Sequence, residues 1–299
     1  MRLRGSLMLL LTAFFWGTTF VAQLVGMDGL GPYTYAMFRF ALGVLCLLPL
    51  FFAYRGRREQ MRRVGTYRSG FLPGIPVGIA MFGGVTLQQV ALLYTTAGKT
   101  AFISTLYIVL VPLGALLLGR RLYLANWIGA GLAFTGLYFL SAYGETALNK
   151  GDTLVILCSF FWVAQILLID RFASTVDAIE LCLMEMLICT LGSMLLSAVY
   201  ETFHWADVIH AAIPILYGGI LSCGVAYTLQ ILGQAYVEPA QASIIMSLES
   251  VFAVAASWLV LGEQMTPVQS AGCALLLIGA IVTQYRTAEK THVQDTSIE

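Results

Sequence analysis

The sequence predicts an all-α integral membrane protein in which ten transmembrane helices form two inverted repeats of five around a central cavity. Three observations predict it: the composition, the length of the apolar stretches and an internal repetition. Hydrophobic residues make up 59% of the 299 residues and charged residues 11%, whereas an ordinary soluble domain has roughly 45–50% apolar and about 25% charged residues. A soluble all-helical protein would need helices with polar faces, and most of the long apolar stretches of this sequence have none.

The apolar residues fall in blocks long enough to cross a bilayer. A hydrocarbon core of about 30 Å requires about 20 residues of helix, because lipid offers no partner to open backbone groups. By this measure the chain has ten candidate spans, numbered 1 to 10 in chain order: 6–25, 34–54, 70–93, 100–118, 124–142, 152–170, 178–199, 211–236, 241–261 and 267–286. The first is longer than a signal peptide and lacks a small-residue cleavage site, so we expect it to stay in the chain.

The distribution of Lys and Arg predicts the orientation, because positive charge is retained on the cytoplasmic side. With the N-terminus inside, the outer segments hold only Lys99 and Lys150. The inner segments hold Arg2, Arg4, Arg55, Arg57, Arg58, Arg62, Arg63, Arg68, Arg120, Arg121, Arg171, Arg286 and Lys290. We therefore expect both termini in the cytoplasm. The Arg-rich stretch 54–68 also allows a patch for nucleic acid or lipid headgroups, but a loop between two spans needs no further role, and we predict no nucleic-acid partner.

Short segments recur in the same order at nearly one offset. The pairs are FFW at 14–16 and 160–162, TLQ at 86–88 and 228–230, and LLLGRR at 116–121 against LVLGEQ at 259–264. The offsets, 142 to 146 positions, divide the chain into a first repeat at 1–143, a second at 150–286 and a polar cytoplasmic tail at 287–299.

An odd number of spans in each repeat would place the second copy upside down in the membrane. The charges agree, because the loop at 55–68 carries six Arg whereas its counterpart at 201–210 has no Lys or Arg. Inverted repeats around a site near the bilayer midplane are typical of secondary transporters.

Polar and aromatic side chains at helical spacing identify the candidate cavity. They are Trp16, Thr19 and Gln23 in span 1, Gln88 in span 3, Trp162 and Gln165 in span 6, and Tyr227, Gln230 and Gln234 in span 8. An unpaired amide in hydrocarbon costs several kcal/mol, so these groups must face protein or water. Each Gln either lines a cavity or forms a hydrogen bond between packed helices. Trp16 and Trp162, as a pair related by the repeat, favour the cavity.

Charged residues within spans are few, and each is a functional hypothesis. Arg39 in span 2 and Glu185 in span 7 lie 146 positions apart and either form a salt bridge across the repeat axis or reach toward a helix end; we favour a structural role for both. Glu249 in span 9 either takes and releases a proton during a transport cycle or is held by hydrogen bonds inside the protein.

No motif predicts an enzyme, a cofactor or a metal site. The chain has no Walker loop for ATP, and its three histidines, His204, His210 and His292, fall in predicted loops or the tail. All six cysteines lie within spans, and none has CxxC spacing.

Two long segments resemble a known family. The stretch TTAGKTAFISTLYIVLVPLGALLLG at 95–119 and the stretch PAQASIIMSLESVFAVAASWLVLGEQ at 239–264 resemble the paired signature segments of the drug/metabolite transporter superfamily. The WG-small-small sequence at 16–19 is similar to that of its ten-helix EamA-type permeases. The resemblance implies a basket of two inverted repeats in the bacterial inner membrane, with a cavity lined by helices 1, 3, 4, 6, 8 and 9.

The resemblance also bears on single residues. Glu249 corresponds to the signature glutamate. Tyr107, in the first signature segment, and Ser250 are further candidate solute-binding residues. Ser250 stands where the family usually has proline, which leaves a hydroxyl there and puts in doubt a helix bend.

The function predicted is export of amino acids or similar zwitterions by alternating access. Transport of another solute, such as a sugar phosphate, a nucleotide sugar or a drug, is an alternative, although a phosphorylated solute would require several cations at midplane and Arg39 is the single cation within a span. A non-transporting membrane protein on the same fold is a second alternative. The sequence leaves the coupling ion and the oligomeric state open.

Overall fold

The computed structural model describes residues 2–95, 100, 103–119, 122–139, 149–261 and 266–295. Lys99, Arg120 and Arg121, which contribute to the predicted charge asymmetry, lie outside the described residues. The same holds for residues 140–148, which include most of the predicted repeat junction at 144–149, and for the end of the tail at 296–299.

The regular elements of the described ranges are helices. In chain order they are α1 (Arg2–Gly26), α2 (Pro32–Ala53), α3 (Arg55–Arg63), α4 (Phe71–Ala91), α5 (Tyr107–Leu117), α6 (Leu124–Leu137), α7 (Lys150–Phe172), α8 (Ala178–Tyr200), α9 (Trp205–His210), α10 (Ala212–Tyr217), a π-helical segment (Gly218–Ala226), α11 (Tyr227–Gln234), α12 (Pro239–Met246), α13 (Glu249–Leu261) and α14 (Pro267–Asp295). The short α3 lies within the Arg-rich stretch and was not predicted.

Seven helical stretches of the described chain are long and apolar enough to cross a membrane, and they fall on predicted spans 1, 2, 3, 6, 7, 8 and 9. Three shorter apolar helices, α5, α6 and residues Pro267–Val282 of α14, fall on spans 4, 5 and 10. The prediction of an all-helical, multi-pass membrane protein is confirmed. The count of ten crossings stays a prediction.

Two spans of the signature segments are interrupted helices. The chain turns at Thr105–Leu106 before α5 and at Ser247–Leu248 between α12 and α13, and the two turns lie 142 positions apart. The second turn is present although Ser250 stands where the family usually has proline, and at this turn the Ser247 hydroxyl donates to the Ile244 carbonyl at 2.7 Å. A serine that bonds back to the preceding turn of its helix commonly bends the helix.

The helices pack in a pattern that recurs when each is exchanged for its counterpart in the other repeat. Helix α1 packs against α13, and its counterpart α7 packs against α5. Helix α4 packs against α7 and α8, and its counterpart, formed by the π-helical segment and α11, packs against α1 and α2. Helices α2 and α6 pack against their own counterparts, α8 and α14. Two equivalent halves related by a twofold axis would produce this reciprocity.

Small residues bring α6 and α14 into close contact. A Cβ at Gly136 would lie 2.6 Å from the Gly272 carbonyl oxygen, and a Cβ at Gly279 would lie 2.8 Å from the Gly129 carbonyl oxygen. The two contacts exchange under the repeat offset of 143 positions. Glycine is required here because only a residue without a Cβ lets the two backbones approach this closely.

Carboxylates fasten α2 and its adjoining loop to α8 at both ends. At the start of α8, Glu180 accepts hydrogen bonds from the Tyr67 hydroxyl, the Ser69 hydroxyl and the Gly70 N–H at 2.6, 2.7 and 3.1 Å. At its end, Glu201 accepts from the N–H groups of Tyr33 and Thr34 at 3.0 and 2.7 Å. These bonds satisfy donors that the first turn of α2 leaves without helical partners.

Candidate binding cavity

A central cavity lies between two hydrophobic clusters. One cluster is built mainly from α5, α6, α12 and the start of α1, and the other mainly from α2, α4, α8 and α11. The side chains of Trp16 and Trp162 pack against both clusters. The cavity and its open mouth together hold about 570 Å³ of empty space.

The structure brings most of the predicted residues to this cavity. The predicted residues that line it are Trp16, Gln23, Arg39, Gln88, Tyr107, Trp162, Gln165, Tyr227, Gln230 and Glu249. They come from seven helices, with members of both predicted repeats. The lining residues that were not predicted are Phe20, Val85, Ile166, Ser222 and Met246. Apart from Ser222 these are apolar side chains in apolar helices, so no pattern in the sequence distinguishes them from lipid-facing residues.

Aromatic rings form much of the wall. The rings of Trp16 and Tyr227 lie 4.8 Å apart between centroids. The indole of Trp162 lies against Gly84, where a Cβ would come within 3.2 Å of the ring. The Trp16 indole nitrogen is buried and has no hydrogen-bond partner. Because a buried indole N–H usually finds a partner, this donor is available to a bound molecule.

Two glutamine amides and one carboxylate form a buried network on one wall. Gln165 and Gln230 exchange hydrogen bonds of 3.1 Å in both directions. The Gln165 amide nitrogen also donates to Glu185 Oε1 at 2.8 Å. Glu185 is fully buried, and its second oxygen has no hydrogen-bond partner. The two alternatives for these glutamines therefore combine, because the pair lines the cavity and also joins α7, α8 and α11.

The proposed ion pair between Arg39 and Glu185 is not formed between these two described residues. Glu185 is held by Gln165 instead, while the Arg39 guanidinium lies over the rings of Phe40 and Tyr35, 4.8 and 5.7 Å from their centroids. Neither side chain reaches to a helix end, since both are buried. Matching positions in the two repeats place Arg39 and Glu185 at corresponding depths in the membrane. They do not determine the direction in which each side chain leaves its helix.

Glu249 and Tyr107 meet across the cavity. Each is the first residue of the helix that follows a turn, α13 and α5 respectively. The Tyr107 hydroxyl donates to Glu249 Oε1 at 3.4 Å, a long hydrogen bond. Broken helices that expose their ends to a midplane cavity are typical of secondary transporters.

Three predicted polar residues are elsewhere. The Thr19 hydroxyl donates to the Phe15 carbonyl of its own helix at 2.6 Å. Ser250 is buried, and its hydroxyl has no hydrogen-bond partner, but it does not line the cavity. Gln234 donates to the Ile166 carbonyl at 3.1 Å and so connects two helices. The cavity geometry therefore does not support Thr19 or Ser250 as solute-binding residues.

Comparison with known proteins shows which family and which fold this chain matches. The model of the EamA-like transporter family matches residues 3–142 and 149–285. A protein of Archaeoglobus fulgidus described as an uncharacterized transporter is 32% identical over 289 residues, covering 95% of this chain and 87% of its own length. A crystal structure superposes with a TM-score of 0.79 at 19% identity, covering 94% of this chain and 98% of its own. At that identity the superposition shows the fold alone.

Proposed function

We propose that this chain, which belongs to the EamA-like transporter family, is a secondary transporter of small zwitterions, in particular amino acids. The family consists of membrane transporters and not of enzymes. The observation that carries this proposal is the chemistry of the cavity wall. Neutral amides and aromatic rings surround one cationic side chain, Arg39, and one acidic side chain, Glu249. A solute with one negative and one positive group matches such a wall, and the neutral donors allow binding weak enough for release.

Alternating access between the two sides of the membrane follows from the packing. The reciprocal contacts of the two repeats give each half a structural equivalent. With five crossings in each repeat, the second half would be inverted, and one half would rock against the other to open the cavity first to one side and then to the other. The broken helices at Thr105–Leu106 and Ser247–Leu248 place their ends beside the cavity.

We place the protein in the bacterial inner membrane with both termini in the cytoplasm. The direction of transport that we propose is export. The orientation rests on the Arg-rich loop at 54–68 and on α3 within it. Phosphorylated solutes fit less well, because Arg39 is the single cationic residue lining the cavity in the described part of the chain.

Counterflow in proteoliposomes tests the proposal. Vesicles loaded with a mixture of the twenty amino acids receive traces of one labelled amino acid at a time outside. Transient accumulation is expected for at least one amino acid. Trp162→Ala should abolish it, because Trp162 forms part of the cavity wall, whereas Trp258→Ala should not, because that tryptophan is 53% exposed on α13.

Two results would count against the proposal, and they have different consequences. No accumulation of any amino acid by folded protein would overturn the amino-acid assignment. Equal accumulation by the Trp162→Ala variant would remove that tryptophan from the site while leaving transport in place.

A further inference from the structure

We propose that Arg39 binds the carboxylate of the transported solute and is the residue through which the cavity requires an anionic group. This inference rests on the proposed function, which names zwitterions but assigns no residue to either charge. It also replaces the structural role expected for Arg39 from the sequence.

Arg39 is a buried cation without a polar partner. Its side chain is 4% exposed and lines the cavity from α2. Its guanidinium has neither a hydrogen bond nor an ion pair with any described residue, and Nε is buried without a partner. The nearest charge-stabilising groups are the aromatic faces of Phe40 and Tyr35.

A buried guanidinium in this position needs an anionic partner. Removing an ion from water is costly, and cation–π contacts return only part of that cost. The planar fork of guanidinium N–H groups matches a carboxylate with two parallel hydrogen bonds, which a single lysine or amide cannot reproduce. Since none of the residues that the structure describes supplies a carboxylate to this fork, the solute is the group that completes it.

The backbone around Arg39 holds its side chain in place. A Cβ at Gly218 would lie 2.9 Å from Arg39 Cδ, and a Cβ at Gly219 would lie 3.0 Å from the Arg39 carbonyl oxygen. These two glycines begin the π-helical segment, so α2 and the stem of Arg39 pack directly on its backbone. π-helical turns occur frequently at functional sites. The guanidinium is therefore positioned before a solute arrives.

Glu249 provides the opposite charge within the same cavity. It reaches the wall from α13, and the described residues offer its carboxylate only the 3.4 Å hydrogen bond from Tyr107. Glu185, the other acidic group near the cavity, is already bound to Gln165 and does not line it. The solute's ammonium group thus has one acidic partner and its carboxylate one basic partner, at different helices.

The test compares each amino acid with its α-carboxamide, in which a neutral group of similar shape replaces the carboxylate and an NH2 donor replaces one of its oxygen acceptors. In the counterflow assay, unlabelled L-amino acid and unlabelled amide compete with the labelled amino acid that the wild type accumulates. We expect the amide to compete about ten- to a hundredfold more weakly, as befits loss of a charge-assisted pair. In Arg39→Gln, uptake should fall by a similar factor, and the residual competition should no longer distinguish acid from amide.

Arg171→Gln is the matched control, because Arg171 is exposed at the end of α7 and does not line the cavity. It should behave as the wild type. Thermal unfolding in detergent checks that Arg39→Gln is folded. An amide that competes as well as the acid in the wild type would overturn the assignment to Arg39 while leaving transport established.

A binding assay separates this inference from the proposed function. The thermal midpoint of detergent-solubilised wild type is measured with each of the twenty amino acids and with their α-carboxamides. Stabilisation by the acids that is absent with the amides and absent in Arg39→Gln would support carboxylate binding at Arg39 even if counterflow failed. If neither transport nor stabilisation by any of the acids is seen, the assignment is wrong.

Discussion

Two buried arginines of this protein have opposite surroundings. Arg58, in the short helix α3, lies 3.6 Å from Asp177 and 3.8 Å from Glu180, stacks 4.1 Å from the Phe51 ring centroid and donates to the Phe51 carbonyl. Arg39, in the cavity, has two aromatic rings and no polar partner among the described residues. The two side chains are equally hidden, at 5% and 4% exposure.

The difference separates structural charges from functional ones. Around Arg58 the fold supplies two carboxylates and a carbonyl, so this cluster ties the loop to the start of α8. Around the cavity it leaves Arg39, the Trp16 indole nitrogen and one oxygen of Glu185 without hydrogen-bond partners. Arg58 Nη1, Gln234 Oε1 and Ser250 Oγ also lack hydrogen-bond partners, but the charge of Arg58 is compensated by carboxylates 3.6 and 3.8 Å away. Arg39 has no carboxylate at ion-pair distance among the described residues, so its buried charge is the one that a solute can complete.

The largest effect is expected at the cluster around Arg58. Glu180→Ala removes the acceptor of three hydrogen bonds and one of the two carboxylate partners of Arg58. We expect the free energy of unfolding in detergent to fall by about 3–5 kcal/mol, because several donors lose their acceptor at once and a buried ion pair is broken. Glu59→Ala is the control. Its ion pair with Arg63 is exposed, at 56% and 79%, and should contribute less than about 1 kcal/mol. Equal losses in both variants would erase the distinction between the clusters.

A smaller loss is expected at the other end of α8. Glu201→Ala removes the acceptor of the Tyr33 and Thr34 N–H groups and should lower the free energy of unfolding by about 1–3 kcal/mol. Thr34→Val deletes only the hydroxyl that donates to Glu201 and contacts Ser197, both at 2.7 Å, and should cost less. A Thr34→Val variant less stable than Glu201→Ala would contradict the role of the carboxylate.

In the cavity the effect is expected on binding and not on folding. Gln230→Ala removes the reciprocal bonds with Gln165 and one polar group of the wall, so solute affinity should fall about tenfold, the equivalent of one hydrogen bond. Affinity is read from the concentration dependence of counterflow. Gln60→Ala, exposed in α3, should leave it unchanged. Unaltered affinity in Gln230→Ala would remove this amide from the site.

The smallest effect on stability is expected at Glu249. Glu249→Gln keeps the shape and a long hydrogen bond from Tyr107, so the free energy of unfolding should change by less than about 1 kcal/mol. If Glu249 carries a proton during transport, the variant should lose the dependence of flux on pH that the wild type shows. Wild-type flux that ignores an imposed proton gradient would exclude this role whatever the variant does.

Much of the candidate site was predictable because helical spacing is a local property. Trp16 and Gln23 lie seven positions apart on α1, as do Tyr227 and Gln234 across α11, and a shared face follows from 3.6 residues per turn. Three of these four side chains line the cavity. Gln234 does not, because the same face of α11 passes from the cavity to the Ile166 carbonyl along its length.

Other features required positions on different helices. Nothing in the sequence shows that Gln165 lies between Glu185 and Gln230, or that Arg39 points away from Glu185. The missing proline at Ser250 puts a helix bend there in doubt, yet the structure has a turn just before it, at Ser247–Leu248.

Residue order alone is enough to show that the chain crosses a membrane more than once, that it contains two repeats and that it belongs to the EamA-like transporter family. Span length depends on the thickness of hydrocarbon, and repetition depends only on the order of residues, so neither requires a structure. Which buried polar groups find a partner could be learned only from the packed helices. That depends on the rotation and tilt of each helix against its neighbours, where a few degrees change whether two side chains meet or face an open cavity.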